Sequence, residues 1–246
     1  MVHGVVALVG SGEYLPHMAE FENSLLLAGV NKGKSRRYVQ LATAAGRESQ
    51  DRRDYWRNLG KAQCDRLDVE QVFVPVFNRA DAENSEFAEM IADAGLIYLS
   101  GGDPSYLATT LRGTSVGDAI IDAWKSGSSL AGCSAGAMAL ANSVPHLRMR
   151  HSSDSAIGLG VIPHIQTIPH YDKFLGWIPD RVTSLMLAAE PGIHVVGIDE
   201  DTALYSEDLL NWTVVGEKRV HHLVGEGSRR TYENSESFVL THQARS

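Results

Sequence analysis

Cysteine is nearly absent from this chain: Cys64 and Cys133 are the only two in 246 residues. Neither belongs to a Cys-x-x-Cys metal or redox pair, and two distant thiols cannot build the disulfide framework of a small secreted fold. A reducing compartment is the simpler expectation. Long apolar runs are missing too, since no uninterrupted stretch approaches the ~20 residues that a membrane-spanning helix needs. The segment Met1 to Gly10 is apolar but short, lacks a basic leader and runs straight into Gly10-Ser11-Gly12. It reads as a first buried strand rather than a targeting peptide. Positive charge is scarce as well. Lys and Arg total 22 against 30 Asp and Glu, a balance that opposes the phosphate neutralisation on which nucleic-acid binding depends. The small basic groups Lys32 to Arg37 and Arg52-Arg53 read as solvated loop and helix ends. No internal repeat, linker or low-complexity tract interrupts the chain. The expectation is a soluble, cytoplasmic protein of one domain, residues 1-246, with no nucleic-acid partner and no membrane partner. Its hydrophobic content of 43% suffices for one sizeable core.

What is present is an alternation of short apolar runs with helical patterns. Gly4 to Val9, Tyr38 to Ala42, Val72 to Val76, Leu96 to Leu99 and Ser129 to Ala131 are strand-length and several are nearly continuous in hydrophobicity, as suits strands covered on both faces. Between them, Glu86-Phe87-Met90-Ile91-Ala94, Leu107-Leu111 and Val116-Ile120-Ile121-Trp124 have helical spacing. The pattern predicts an α/β fold with a parallel β-sheet and helices on both faces. Trp124 is expected in the core. The last third changes character. Val195 to Ile198 reads as a buried strand, whereas Ala203 to Tyr205, Trp212 to Val215 and Val220 to Val224 are closely spaced, and Gly216-Glu217-Lys218 carries a hairpin signal. An antiparallel C-terminal edge extension is expected there, and its open edges could pair in a homodimer.

Ligands of open α/β sheets bind at the carboxyl ends of the strands. Three glycine-containing loops fall there: Gly10-Ser11-Gly12-Glu13, Gly101-Gly102-Asp103 and Gly132-Cys133-Ser134-Ala135-Gly136. The first is not read as a nucleotide loop, because Leu15 stands where a third glycine would and no Walker-type lysine follows. Gly101-Gly102-Asp103-Pro104 also reads as a helix entry with an acidic cap and a proline in the first turn. The third loop joins a short strand to an Ala-rich helical segment with a serine at its apex, which is the pattern of a strained turn that exposes a nucleophile. The small flanking residues allow strand and helix to approach. The turn aims the Ala135 N–H at a developing oxyanion and sends Cys133 toward the interior. A thiol enzyme using Cys133 is therefore the weaker alternative.

A serine nucleophile needs a base, normally histidine oriented by a carboxylate. Ten histidines compete. His3 and His242 lie near the termini, His146 and His151 flank a basic loop, and His221 and His222 sit in a late hairpin. The strongest candidates are His164 and His170.

Ser134 in Gly-Cys-Ser-Ala-Gly-Ala, preceded by Tyr98-Leu99-Ser100-Gly101-Gly102-Asp103 and followed by Gly158 to Pro163, Pro169-His170-Tyr171 and Gly197 to Leu204, resembles serine peptidase family S51. That family contains aspartyl dipeptidase and cyanophycinase, and its fold is similar to that of class I glutamine amidotransferases. The resemblance runs from Leu8 to about Leu204. It implies Ser134 as nucleophile, His170 as base and the amides of Gly102 and Ala135 as oxyanion hole, with no metal or organic cofactor. Among Asp154, Asp172, Asp199, Glu200 and Asp201 the resemblance favours Glu200 as the orienting acid, with Asp154 as the alternative. Asp172 reads as a helix cap. Strand alternation lets Asp199 and Asp201 share one face while Glu200 takes the other. Where cyanophycinases carry Asp-Gln before the histidine this chain has Ile168-Pro169, and Pro104 replaces a Gln. The implied substrate is a small peptide or amide other than cyanophycin or an aspartyl dipeptide. A noncatalytic ligand-binding or scaffold protein on the same fold is the competing reading.

Overall fold

The continuous apolar runs become the central strands of the protein. A computed structural model describes residues 3–144, 156–175, 192–225 and 228–241. The first half contains β1 (Val6–Val9), α1 (Ala19–Asn31), β2 (Ser35–Leu41), α2 (Gln50–Arg66), β3 (Glu70–Phe73), α3 (Arg79–Ala82), α4 (Ser85–Ile91) and β4 (Ala94–Leu99). There follow α5 (Pro104–Leu111), α6 (Ser115–Lys125), β5 (Ser129–Cys133), α7 (Ala135–Ala139), β6 (Ser143–Val144), β7 (Ala156–Ile157), β8 (Ile165–Ile168) and α8 (Tyr171–Leu175). The last stretch is all strand: β9 (His194–Ile198), β10 (Thr202–Ser206), β11 (Asn211–Gly216), β12 (Val220–Gly225), β13 (Ser228–Tyr232) and β14 (Ser237–Val239). Five helix starts carry polar caps. Ser49, Asn78, Asn84, Asp103 and Thr114 each accept a first-turn N–H with the side chain, a contribution of about 1 kcal/mol apiece.

Strands β1, β5, β4, β2 and β3 lie side by side in that order and parallel. Alternation divides their side chains between two cores. Val6, Leu8, Val39, Leu41, Ile97 and Leu99 face one way and pack with Leu107, Val116, Ile120 and Met138 of α5, α6 and α7. Val5, Ala7, Val9, Tyr38, Leu96 and Tyr98 face the other and pack with Phe21, Leu25 and Leu26 of α1 and Cys64 of α2. The fold is therefore the expected α/β arrangement with helices on both faces. Trp124 is buried, and its indole N–H donates to Gly4 O at 3.0 Å. The basic group around Arg36 and Arg37 departs from the expectation of loop and helix ends, because both residues lie in β2. Arg36 donates to the carbonyls of Leu67 and Asp68 and Arg37 to those of Met90 and Ala92, placing cations where two helices end.

The antiparallel extension is present: β10, β11 and β14 continue the large sheet beyond β1. Three particulars differ from the sequence expectation. Ala94 begins β4 instead of ending the preceding helix. β9 leaves the large sheet and joins a second sheet of order β13-β12-β9-β8, in which β8 and β9 are parallel. And Gly216-Glu217-Lys218 makes no hairpin, because β10 and β14 already occupy both edges of β11. The chain there wraps around Thr202, with Glu217 N–H on Asp201 O and Lys218 N–H on Thr202 Oγ1, and crosses into the second sheet, where β12 pairs with β9. The hairpin forms one strand later, between β12 and β13.

Candidate active site

The three glycine-containing loops leave the carboxyl ends of β1, β5 and β4, which are neighbours in the large sheet. Ser134 sits between β5 and α7 at φ 50°, ψ −108°, a region that a non-glycine residue occupies only when its surroundings hold it there. They do so on both sides. Ser134 N–H donates to Val9 O at 2.9 Å, and Ser134 O accepts from Met138 N–H at 3.1 Å. The need for glycine on either flank is steric. A β-carbon at Gly132 would stand 2.4 Å from the carbonyl carbon of Gly136, and one at Gly136 would stand 2.2 Å from Leu99 O. Strand and helix thus touch backbone to backbone, and the serine side chain is thrown outward, half-buried.

His170 occupies the equivalent place in the second sheet, between β8 and α8, and also has positive φ, 51°. Its Nε2 lies 3.1 Å from Ser134 Oγ and its Nδ1 lies 3.2 Å from Glu200 Oε1. With the proton on Nδ1, the ring donates to Glu200 and accepts from the serine hydroxyl. Glu200 follows β9, the strand beside β8. The structure thus brings together Ser134, His170 and Glu200. His164 is not part of this group: it is buried, and its Nε2 lies 3.0 Å from Leu209 O.

The other acids have different partners. Asp199 is buried 3.2 Å from His221 Nε2, and Asp201 pairs with His17 at 3.1 Å. Asp154, like His146 and His151, lies outside the described residues. Asp172 is more than the helix cap that its position suggested. Its Oδ1 accepts the Glu200 N–H at 3.0 Å while its Oδ2 accepts from Lys218 Nζ at 2.7 Å. Partial burial would raise its carboxyl pKa, but Lys218 and the Glu200 amide outweigh that and hold it below the usual carboxylate range. Lys218 is raised in turn, chiefly by Asp172. Lys173 and Lys218 lie 3.5 and 3.8 Å from Glu200 Oε2. No sequence spacing pointed to Lys218, whose approach depends on the crossing between sheets.

Gly102 has φ 140° and is exposed, and a β-carbon there would fall 2.6 Å from the Ala44 carbonyl. Its N–H and that of Ala135 have no protein acceptor among the described residues. Asp103 caps α5 by accepting Tyr106 N–H at 2.9 Å, with Pro104 in the first turn. Cys133 points inward, fully buried; burial first, and then the neighbouring Glu13, push its thiol well above the ordinary range. Such a thiol is a donor rather than a nucleophile. No group of three or more His, Cys, Asp or Glu side chains is gathered for a metal among the described residues, and no described helix is long and apolar enough to cross a membrane.

Comparison with known proteins places this arrangement in context. The model of peptidase family S51 matches residues 6–209. Cyanophycinases of Synechococcus elongatus and Thermosynechococcus vestitus are each 31% identical over 168 residues, which is 63% of this chain and 48% of the relative. The chain therefore spans about half the length of the curated relatives it matches. The crystal structure of a peptidase from an acI-B1 Actinobacterium is 47% identical and superposes with a TM-score of 0.89, covering 96% of this chain and 97% of that one. A putative peptidase E protein from Listeria monocytogenes EGD-e, at 18% identity and a TM-score of 0.62 over 88% of this chain and 100% of its own, shares the fold.

Proposed function

The chain belongs to peptidase family S51, and from that membership we propose that it is a serine hydrolase of one α/β domain that cleaves a peptide or related amide bond. The observation that carries the reading is the unbroken line from Ser134 Oγ to His170 Nε2 at 3.1 Å and from His170 Nδ1 to Glu200 at 3.2 Å. Ser134 Oγ attacks the substrate carbonyl carbon as its proton passes to His170 Nε2, and the carbonyl π electrons move onto oxygen. Glu200 holds the ring and balances the imidazolium. The oxyanion lies between the N–H groups of Gly102 and Ala135, which have no acceptor among the described residues and can both donate to it. Collapse breaks the C–N bond, and the leaving amine takes the proton from His170. Water, deprotonated by the same imidazole, then releases the acyl group and restores Ser134.

The substrate is a small peptide or amide whose acyl side chain is not aspartyl. Ile168 supports this: it is buried against Tyr171, Val195 and Leu223 and offers the crevice no polar group, and Pro169 and Pro104 have no side-chain donor. Lost polar recognition of a buried charge costs several kcal/mol. A fluorophosphonate probe tests the reaction class: it should label the native protein at Ser134 and leave Ser134→Ala unlabelled. Absence of labelling on folded native protein would favour the noncatalytic reading. For the substrate, kcat/KM should favour neutral dipeptides over aspartyl ones, and a hundredfold aspartyl preference would sink that part.

A further inference from the structure

Glu13 is an acid buried where acids are costly. It is 7% exposed, and among the described residues no Lys or Arg pairs with it. A buried carboxylate without a cation is a poor source of stability, since an apolar residue of similar volume would commonly serve better. Each of its two oxygens nevertheless accepts a hydrogen bond. Oε1 accepts the Gly101 N–H at 3.1 Å, and Oε2 accepts from the Cys133 thiol at 2.8 Å. The side chain starts in the loop after β1 and reaches the ends of β5 and β4, so one carboxylate ties three adjacent strand ends together beneath Ser134.

The backbone of the Gly101 loop shows what this tie accomplishes. Ser100 N–H donates to Leu41 O and Asp103 N–H donates to Ala44 O, both at 3.0 Å, while Gly101 N–H goes to Glu13. Of four successive amides, Gly102 alone has no protein acceptor among the described residues. Its peptide plane is therefore set by the anchored planes on either side, and Glu13 supplies the only side-chain anchor of the set. The Gly101 backbone passes close to both groups: a β-carbon there would stand 3.1 Å from Glu13 Oε1 and 3.4 Å from Ser134 Cβ.

We propose that Glu13 is a positioning residue for acyl transfer, its carboxylate clamping Gly101 and Cys133 so that the Gly102 N–H is held ready for the oxyanion at Ser134. The proposal rests on the hydrolase reading above. Loss of the clamp tilts one oxyanion donor without removing it, which lowers the rate of the chemical step and leaves ground-state binding nearly unchanged.

The test uses p-nitrophenyl acetate turnover, expressed per Ser134 titrated to completion with a fluorophosphonate so that misfolded protein is not counted. Glu13→Ala should lower kcat about a hundredfold with KM within about threefold of native, and thermal stability should not fall in parallel. Glu13→Gln, which keeps an oxygen for the Gly101 N–H, should recover to within about fivefold of native. Amide hydrogen exchange at Gly101 should quicken in Glu13→Ala and not in Glu13→Gln. If Glu13→Ala does not fold, Glu13→Leu fills the volume without an acceptor and carries the same expectation. Native-like kcat per titrated site in the Ala or Leu variant, or a Gln variant no better than they are, overturns this inference alone. A native protein that neither labels nor turns over overturns the hydrolase reading, and this inference with it.

Discussion

In the large sheet, Ser134 follows β5, a strand buried along its whole length with parallel neighbours on both sides; in the second sheet, His170 and Glu200 follow β8 and β9, and the outermost strand, β13, is almost entirely exposed. The two sides nevertheless use one device. Ser134 and His170 each sit just past a strand end, on a turn into a helix, at positive φ. The difference lies in how the group is held. Ser134 is fixed by backbone hydrogen bonds and glycine contacts, whereas Glu200 is fixed by side-chain ties to Asp172 and its neighbouring lysines. The geometry at Ser134 thus belongs to the core, and that at Glu200 to a charged network that water can reach.

The sharpest way to break this comparison is to remove one group from each side. Ser134→Ala and His170→Ala should each lower kcat by several orders of magnitude, and the double variant should lose little more, because the two act as a unit. Melting temperatures should stay near native. Additive losses would mean that the sheets contribute independently. Glu200→Gln should lower kcat by about two to three orders of magnitude, through loss of the charge that balances the imidazolium. A native kcat there would dissociate the second sheet's acid from the reaction.

A stability measurement sharpens the contrast from the large-sheet side. Glu22 is fully buried, and burial raises its pKa from 4.5 to about 7 against the opposing hydrogen bonds of Tyr14 N–H, Gln63 and Tyr38. Below 4.5 both folded and unfolded states hold the proton; between 4.5 and 7 only the unfolded state releases it, so stability falls across that window as pH rises. The fall is on the order of 3 kcal/mol at most. Glu22→Gln should flatten it, as read by urea denaturation at a series of pH values; an unchanged slope would refute the assignment. A smaller effect on turnover belongs to Asp172→Asn. It keeps an oxygen for Glu200 N–H but loses the charge facing Lys218, so kcat should drop about fivefold. His164→Ala should lower the melting temperature and spare turnover, since His164 contacts Leu209 and not Ser134.

The same contrast decides what the sequence reveals. Strands β1, β2, β4 and β5 are legible because burial on both faces writes a continuous apolar run, and the turn around Ser134 is legible because backbone contact admits only small residues. β8 is not, since Ile165-Gln166-Thr167-Ile168 is short and mixed and its partner β9 reads equally well as a strand of the large sheet. The crossing after Gly216 is hidden for another reason: both edges of β11 are taken by strands distant in sequence, which no local signal reports. Of the residues around the site, Ser134 could be found from spacing alone, His170 only as one of two candidates until family resemblance chose it, Glu200 through that resemblance, and Lys218 not at all.

Ser134 and His170 both sit in a backbone region that side chains other than glycine rarely adopt, at a cost of about 1–3 kcal/mol each. Glycine at either position would relax the chain and silence it by the same substitution. Selection for thermal tolerance without a screen for turnover would therefore admit glycine here as readily as at Asp68, Asp93 or Ser235, which share the positive φ, and some heat-resistant descendants of the chain would be inert.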